Sequence, residues 1–328
     1  MTWRRRSFLG AGITLASAGA IPRATAGMPR MALTMATGEP GGGFALYGPA
    51  WGQSASAAAP VTLSYRASGG SAANILLVEQ GAAQLGLTTL AVADQAWLGT
   101  ASWTGRVTLR GFRALFPIFP ASWQVVSLLD GPVKRLADLA SRPIGVGPAG
   151  GASAVLTPAL LGAVNIKPRL AIAGLYTEQI ELLLRRKLDA CAFFGPTPLP
   201  ALRDEAAKGG FTLLGVTNAQ QAAMARLPGI TRMIIPHTSL PHQTAAVATV
   251  GSDAIAIGRA DLPDQLVAQL TEAALSHRPI LRATNLPAHG MTLKNDWIDA
   301  SSPIQIHPGA AMALRRHGFA APARLVRS

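Results

Sequence analysis

The chain has a single cysteine, Cys191, so no disulfide can form within it. It is also poor in acids: 16 Asp and Glu stand against 29 Lys and Arg, and Glu39, Glu79 and Asp94 are the only acids before Asp130. That scarcity leaves little material for paired-carboxylate chemistry. The six histidines form no HExxH, and His237 and His242, five apart around Pro241, have no carboxylate close by, so no metal site is expected. No apolar run is long enough for a resident membrane span. No Gly-x-Ser-x-Gly occurs, and neither Ser71 nor Ser153 has a neighbouring base in sequence, so no catalytic residue is assigned. Aromatic residues make up only 5% of the chain, and the longest basic run is Arg185-Arg186-Lys187. A nucleic-acid stripe of basic and aromatic residues is therefore absent, and the excess of positive charge reads mainly as a solvated surface that favours anionic partners.

What is present begins with an export signal. Arg5-Arg6 with Phe8-Leu9 fits the twin-arginine pattern, with Arg4 and Gly10 as departures from it. A short Gly/Ala-rich run follows, and Ala24-x-Ala26 supplies small residues for cleavage before Gly27. Removing residues 1–26 takes away four of the 29 basic residues and no acid, which leaves a net charge of +9. About 300 residues then remain, comfortable for two α/β lobes.

Short apolar runs alternate with helix-period segments, the pattern of a parallel or mixed α/β sheet. Strands are expected at 31–35, 61–66, 84–89, 143–146, 170–173, 189–194 and 211–216. Helices are expected at 91–98, at 177–187 with Ile180, Leu183 and Leu184 inward, from Ser71 as N-cap, and from 151–153 through Leu161. Two long extended stretches, 112–128 and 232–257, would cross between lobes. Cys191 falls in a buried strand. Three strand-to-helix turns, near Gly42, Gly70 and Gly151, are built of glycine and small hydroxyl residues. A Rossmann loop is excluded at the first, because the next strand ends in Ser64-Tyr65-Arg66 without an acid. Positive φ is expected at Gly42. If the three helix starts converge, their N–H groups hold a carboxylate with no obligatory charged side chain, although Arg66 lies close in sequence.

Ala36-Thr37-Gly38 with Gly41-Gly42, Ser68-Gly69-Gly70-Ser71 with Asn74, Val146-Gly147-Pro148 with Gly150, Asp189-Ala190 before Phe193, and His307-Pro308-Gly309-Ala310 with Gly318 resemble the TAXI group, the extracytoplasmic receptors of TRAP transporters. The likeness runs in order along nearly the whole mature chain. It implies a two-lobed, type II-like periplasmic binding protein with a hinge and an interlobe cleft. Lobe I would be residues 27–118 and 245–328, and lobe II residues 119–244. Its implied role is to capture a small carboxylate of the glutamate, dicarboxylate or 2-oxo acid class in the periplasm, as a monomer without cofactor, and to deliver it to a TRAP permease. A periplasmic sensor and a secreted α/β enzyme are the alternative classes.

Carried over by position, the ligand contacts implied are Gly42, Gly43, Phe44, Ser71, Asn74, Thr88, Thr89, Gly151 and Ser153. Three departures lower the donor count: Gly43-Phe44 where many members have Thr-Tyr, Gly151-Ala152-Ser153 for Ser-Gly-Thr, and Met312, Ala313 and Leu314 where aromatics are common. A smaller or less polar acid than glutamate is implied.

Replacing Arg5 and Arg6 with Lys is expected to strand precursor in the cytoplasm, and the exported protein should begin at Gly27. Cell fractionation and N-terminal sequencing check both; normal export of the double-Lys variant would contradict the twin-arginine route.

Overall fold

The structure is a computed structural model that describes residues 30–206, 210–241, 243–276, 286, 298, 302–319 and 323–326. The export segment and His242 lie outside the described residues. In chain order the elements are β1 (Met31–Ala36), α1 (Gly43–Ala58), β2 (Val61–Arg66), α2 (Ser71–Glu79), β3 (Leu85–Thr89), α3 (Leu90–Leu98) and β4 (Phe112–Leu128). Then come β5 (Pro143–Gly145), α4 (Ala152–Gly162), β6 (Leu170–Ile172), α5 (Tyr176–Leu184), β7 (Ala190–Gly195), α6 (Pro200–Glu205), β8 (Phe211–Leu213) and α7 (Asn218–Met224). The chain continues through β9 (Thr231–Ile235), β10 (Val247–Arg259), α8 (Asp264–Ser276) and α9 (Pro308–Arg316).

All ten strands form one mixed sheet in the order β2-β1-β3-β10-β4-β7-β5-β6, with β8 beside β4 and β9 beside β10. Two parallel triplets, β2-β1-β3 and β6-β5-β7, lie at its ends. Each is the sheet of one lobe, and the long antiparallel strands β4 and β10 join them. Along β4 the partner changes at Ser122, from β10 to β7; along β10 it changes at Gly251, from β4 to β9. The crossing is irregular because Pro117 and Pro120 of β4 have no N–H to give: the register slips between their partners Asp253 and Ile255.

One expected element divides. The stretch 232–257 is two antiparallel strands, β9 and β10, because Pro236 and Pro241 interrupt the ladder between them. Most of β4 is buried, as a strand packed on both faces must be. Trp51 of α1 is fully buried, meets Phe116 of β4 edge-on at 5.0 Å, and donates its indole N–H to the Leu270 carbonyl of α8 at 3.0 Å. Cys191 is likewise buried, in the smaller core of the second lobe, where burial pushes its thiol far above the ordinary range. It is a packing residue there.

Asn74 of α2 pins the carboxyl ends of two strands. Its side-chain amide donates to the carbonyls of Thr37, just past β1, and Leu87 of β3, the latter at 2.6 Å, and its oxygen accepts from the Ser68 hydroxyl at 2.5 Å. The residue is fully buried. Asn74→Ala would take the side-chain donor from the buried Leu87 carbonyl and leave the Thr37 carbonyl only the Ser68 hydroxyl, at a cost of about 2 kcal/mol. The melting point is expected to fall by about 5 °C, measured calorimetrically on the ligand-free protein; an unchanged melting point would contradict this role.

Candidate functional site

The first strand-to-helix loop is set by its sequence. Glu39-Pro40-Gly41-Gly42 closes with the Gly42 N–H on the Glu39 carbonyl at 3.1 Å, and Gly41 sits at φ +84°, the value a type II turn requires after proline. Positive φ was expected at Gly42; it falls instead on Gly41, while Gly42 has φ −95° and is the N-cap of α1. The turn aims the start of α1 into the space between the lobes. Gly41 also reaches across, its carbonyl accepting from Ala201 N–H at 3.0 Å.

The second loop makes the tightest contact with the other lobe. A Cβ on Gly69 would stand 1.8 Å from the Ala149 carbonyl oxygen, so only glycine allows this approach. Next to it the Gly150 carbonyl accepts the N–H groups of Ala72 (2.8 Å) and Ala73 (3.2 Å), the first turn of α2. The N-cap of α2 is thus Gly70, and Ser71 is the first helical residue rather than the expected cap. The Ser71 hydroxyl accepts from Thr89 N–H at 3.2 Å and ties α2 to the end of β3.

The loops line an inner cavity. Its empty volume is about 410 Å³, the part open to solvent included, enough for a small metabolite. Beside it is a more open outer chamber, which shares Glu39 and Gly69 with the inner cavity. The carboxyl ends of β1, β3, β5 and β7 all face this region, as expected for ligand sites of α/β sheets.

Of the nine residues carried over from sequence, Gly42, Gly43, Phe44, Ser71, Thr89 and Gly151 line the inner cavity. The other three do not. Asn74 is spent on the bonds described above; Thr88 directs its hydroxyl to the Ser71 carbonyl at 3.2 Å; the Ser153 hydroxyl accepts Phe194 N–H at 2.7 Å and fixes α4 to β7. Arg66 is not on the wall either.

All three glycine-rich helix starts converge, but they divide the work. The α2 N–H groups close the lobes. At α1 and α4 the N–H groups of Gly43, Phe44 and Ala152, which no helix satisfies internally, find no acceptor among the described residues and border the cavity. Thr89 stands with them: it is 1% exposed, and its hydroxyl has no hydrogen-bond partner among the described residues. A buried hydroxyl left in that state is costly unless a ligand or water completes it.

Sequence reasoning missed Glu39, Tyr176, Phe119, Phe194 and Pro196 on the wall. The Pro-Gly turn was a legible signal for Glu39, and the ends of β7 and the start of α5 follow the strand-end rule. Phe44 and Phe119 lie 5.9 Å apart at 36°. The Tyr176 ring packs beside Gly42 and Gly147, where a Cβ would meet it at 3.0 and 3.3 Å. Burial, and secondarily the Glu39 carboxylate, pushes the Tyr176 hydroxyl far above its ordinary range, so it stays neutral. Buried amides hold the second-lobe loops. Gln179 accepts Gly147 N–H at 2.8 Å and donates to the Ile172 carbonyl at 2.6 Å. Gln124 donates to the Pro196 carbonyl at 3.0 Å and accepts Leu199 N–H at 2.9 Å. Among the described residues no group of three His, Cys, Asp or Glu side chains could hold a metal ion, and no helix is long and apolar enough to cross a membrane.

Solved structures with this architecture include the periplasmic binding protein BugD (12% identity, TM-score 0.54, 89% of this chain and 99% of that one). Others are a periplasmic transporter (12%, TM-score 0.51, 78% and 87%) and an ancestral arginine-binding protein bound to arginine (12%, TM-score 0.50, 77% and 98%). At such identities the likeness is one of fold, the two-lobed type II periplasmic-binding-protein fold. A family model matches residues 35–318, nearly all of the described chain, and by that match the chain belongs to the NMT1-like family.

Proposed function

We propose that this protein is an extracytoplasmic solute receptor that holds a small carboxylate between the starts of α1 and α4 and delivers it to a TRAP-type permease. The observation that carries the reading is the convergence of unpaired donors, the N–H groups of Gly43, Phe44 and Ala152 and the buried hydroxyl of Thr89, on one enclosed cavity between two lobes. Such a set recognises an anion by fixed dipoles without a counter-charge. Ser71, whose oxygen already accepts from Thr89 N–H, keeps its own proton to donate. The TAXI-like motifs support the TRAP assignment, and the Arg5-Arg6 leader supports the periplasm. Closure takes place where β4 and β10 cross, between lobe I at 27–118 and 245–328 and lobe II at 119–244.

Amino acids, hydroxy acids, 2-oxo acids, dicarboxylates and sugars would be screened by thermal shift. A carboxylate at 100 times its Kd should stabilise the protein by about 2.7 kcal/mol, a shift of several degrees, and neutral sugars should give none. Gly69→Ala forces the lobes apart at the Ala149 carbonyl, so it is expected to weaken that carboxylate about 10-fold or more while changing the ligand-free melting point little. A sugar as the sole hit, or full affinity in the Gly69 variant, would contradict the reading. Loss of the gene should abolish ion-gradient-driven uptake of the bound carboxylate by whole cells; undiminished uptake would contradict delivery to a permease.

A further inference from the structure

The unpaired donors account for one group of a ligand, and Glu39, in the turn that leads into α1, brings a different chemistry to the same cavity. Glu39 lies where the inner cavity meets the outer chamber and borders both. It is half-buried, and its carboxylate has no ion-pair or hydrogen-bond partner among the described residues. Glu178 borders the outer chamber, where its carboxylate caps α5 through Leu175 N–H at 3.3 Å. Among the described residues no Lys, Arg or His lines either space. In a chain with 29 Lys and Arg against 16 Asp and Glu, a cleft bordered by two acids and no base runs against the overall charge. The rings of Phe44, Phe119 and Tyr176 line the inner cavity with Glu39, and aromatic faces attract cations.

A ligand with only carboxylates would meet Glu39 as a like charge in a partly desolvated cleft. We propose that the ligand is a zwitterion, with its carboxylate at the starts of α1 and α4 beside Thr89 and a cationic nitrogen held by Glu39 among the aromatic rings. This rests on the carboxylate reading above and narrows it from acids in general to amino acids and their N-alkylated relatives. Dicarboxylates and 2-oxo acids, which lack the nitrogen, leave Glu39 without a partner. Tyr176 lines the same cavity, and its hydroxyl, kept neutral by burial and by the nearby carboxylate, adds no charge there.

The test is calorimetric titration of matched pairs differing only in the 2-substituent: L-alanine and L-lactate, L-leucine and L-2-hydroxyisocaproate, L-glutamate and L-2-hydroxyglutarate. They are run on wild type, Glu39→Gln and Glu39→Asp. In at least one pair the amino acid should bind about 10-fold or more tightly than its hydroxy acid, the size expected for a hydrogen bond to a charged group. Glu39→Gln should erase that preference by weakening the amino acid alone, while Glu39→Asp, which keeps the charge, retains part of it. Melting points of the ligand-free variants establish that each is folded. Equal binding within every pair that binds, or a preference that survives Glu39→Gln, overturns the cation subsite and leaves the carboxylate reading standing. Binding of neither member of any pair overturns the carboxylate reading and the subsite with it.

Discussion

The carbonyl of Gly150 accepts two N–H groups from the first turn of α2, and the shape of the cleft depends on that contact. It joins the lobes through backbone alone, at a spacing only glycine allows, since any Cβ at Gly69 would run into Ala149. Because α2 gives the N–H groups of Ala72 and Ala73 to the opposite lobe, what its helix start has left for a ligand is Ser71. The unspent N–H groups of Gly43, Phe44 and Ala152, at α1 and α4, belong to residues that line the same cavity. Closure and recognition are assigned to different helix starts, so a change in ligand preference at α1 or α4 need not weaken the closed state.

Rigidity at these loops comes from buried amides rather than from charge. Asn74, Gln124 and Gln179 each spend their side chains on backbone groups at the ends of strands. A chain so short of acids has few ion pairs to offer its interior, and neutral amides fix the loops without the desolvation cost that buried ions carry. The same economy gives the cleft its electrostatic character. Its fixed dipoles favour an anion, and Glu39 and the aromatic rings that share the cavity favour a cation beside it.

Much of the fold was legible because strand and helix periods are local properties. The bounds of β2 and β4 coincide with the apolar runs, and Cys191 lies in the buried strand its neighbours implied. The extended stretch 232–257 was misread as one piece, although its two prolines mark the break. The candidate site was legible in part. The TAXI resemblance, carried over by position onto the glycine loops and the strand end after them, implied Gly42, Gly43, Phe44, Ser71, Thr89 and Gly151, all on the cavity wall. What sequence could not supply was which side chains turn inward. Asn74 and Ser153 look like ligand donors because they are polar residues at helix starts, yet both are consumed by backbone groups brought in from β3 and β7. Tyr176 comes from the opposite lobe, more than a hundred residues from the first glycine turn, so only the tertiary fold brings it to the cavity. Glu39 was in plain view within the turn, but it was counted among scarce acids rather than placed beside the ligand.

The most direct measurement is a crystal structure of the protein grown with the tightest-binding carboxylate. The account predicts carboxylate oxygens about 3 Å from the N–H groups of Phe44 and Ala152 and from the Thr89 hydroxyl, the ordinary hydrogen-bond distance. A ligand seated elsewhere, or one in the cavity whose carboxylate turns away from both helix starts, would contradict it.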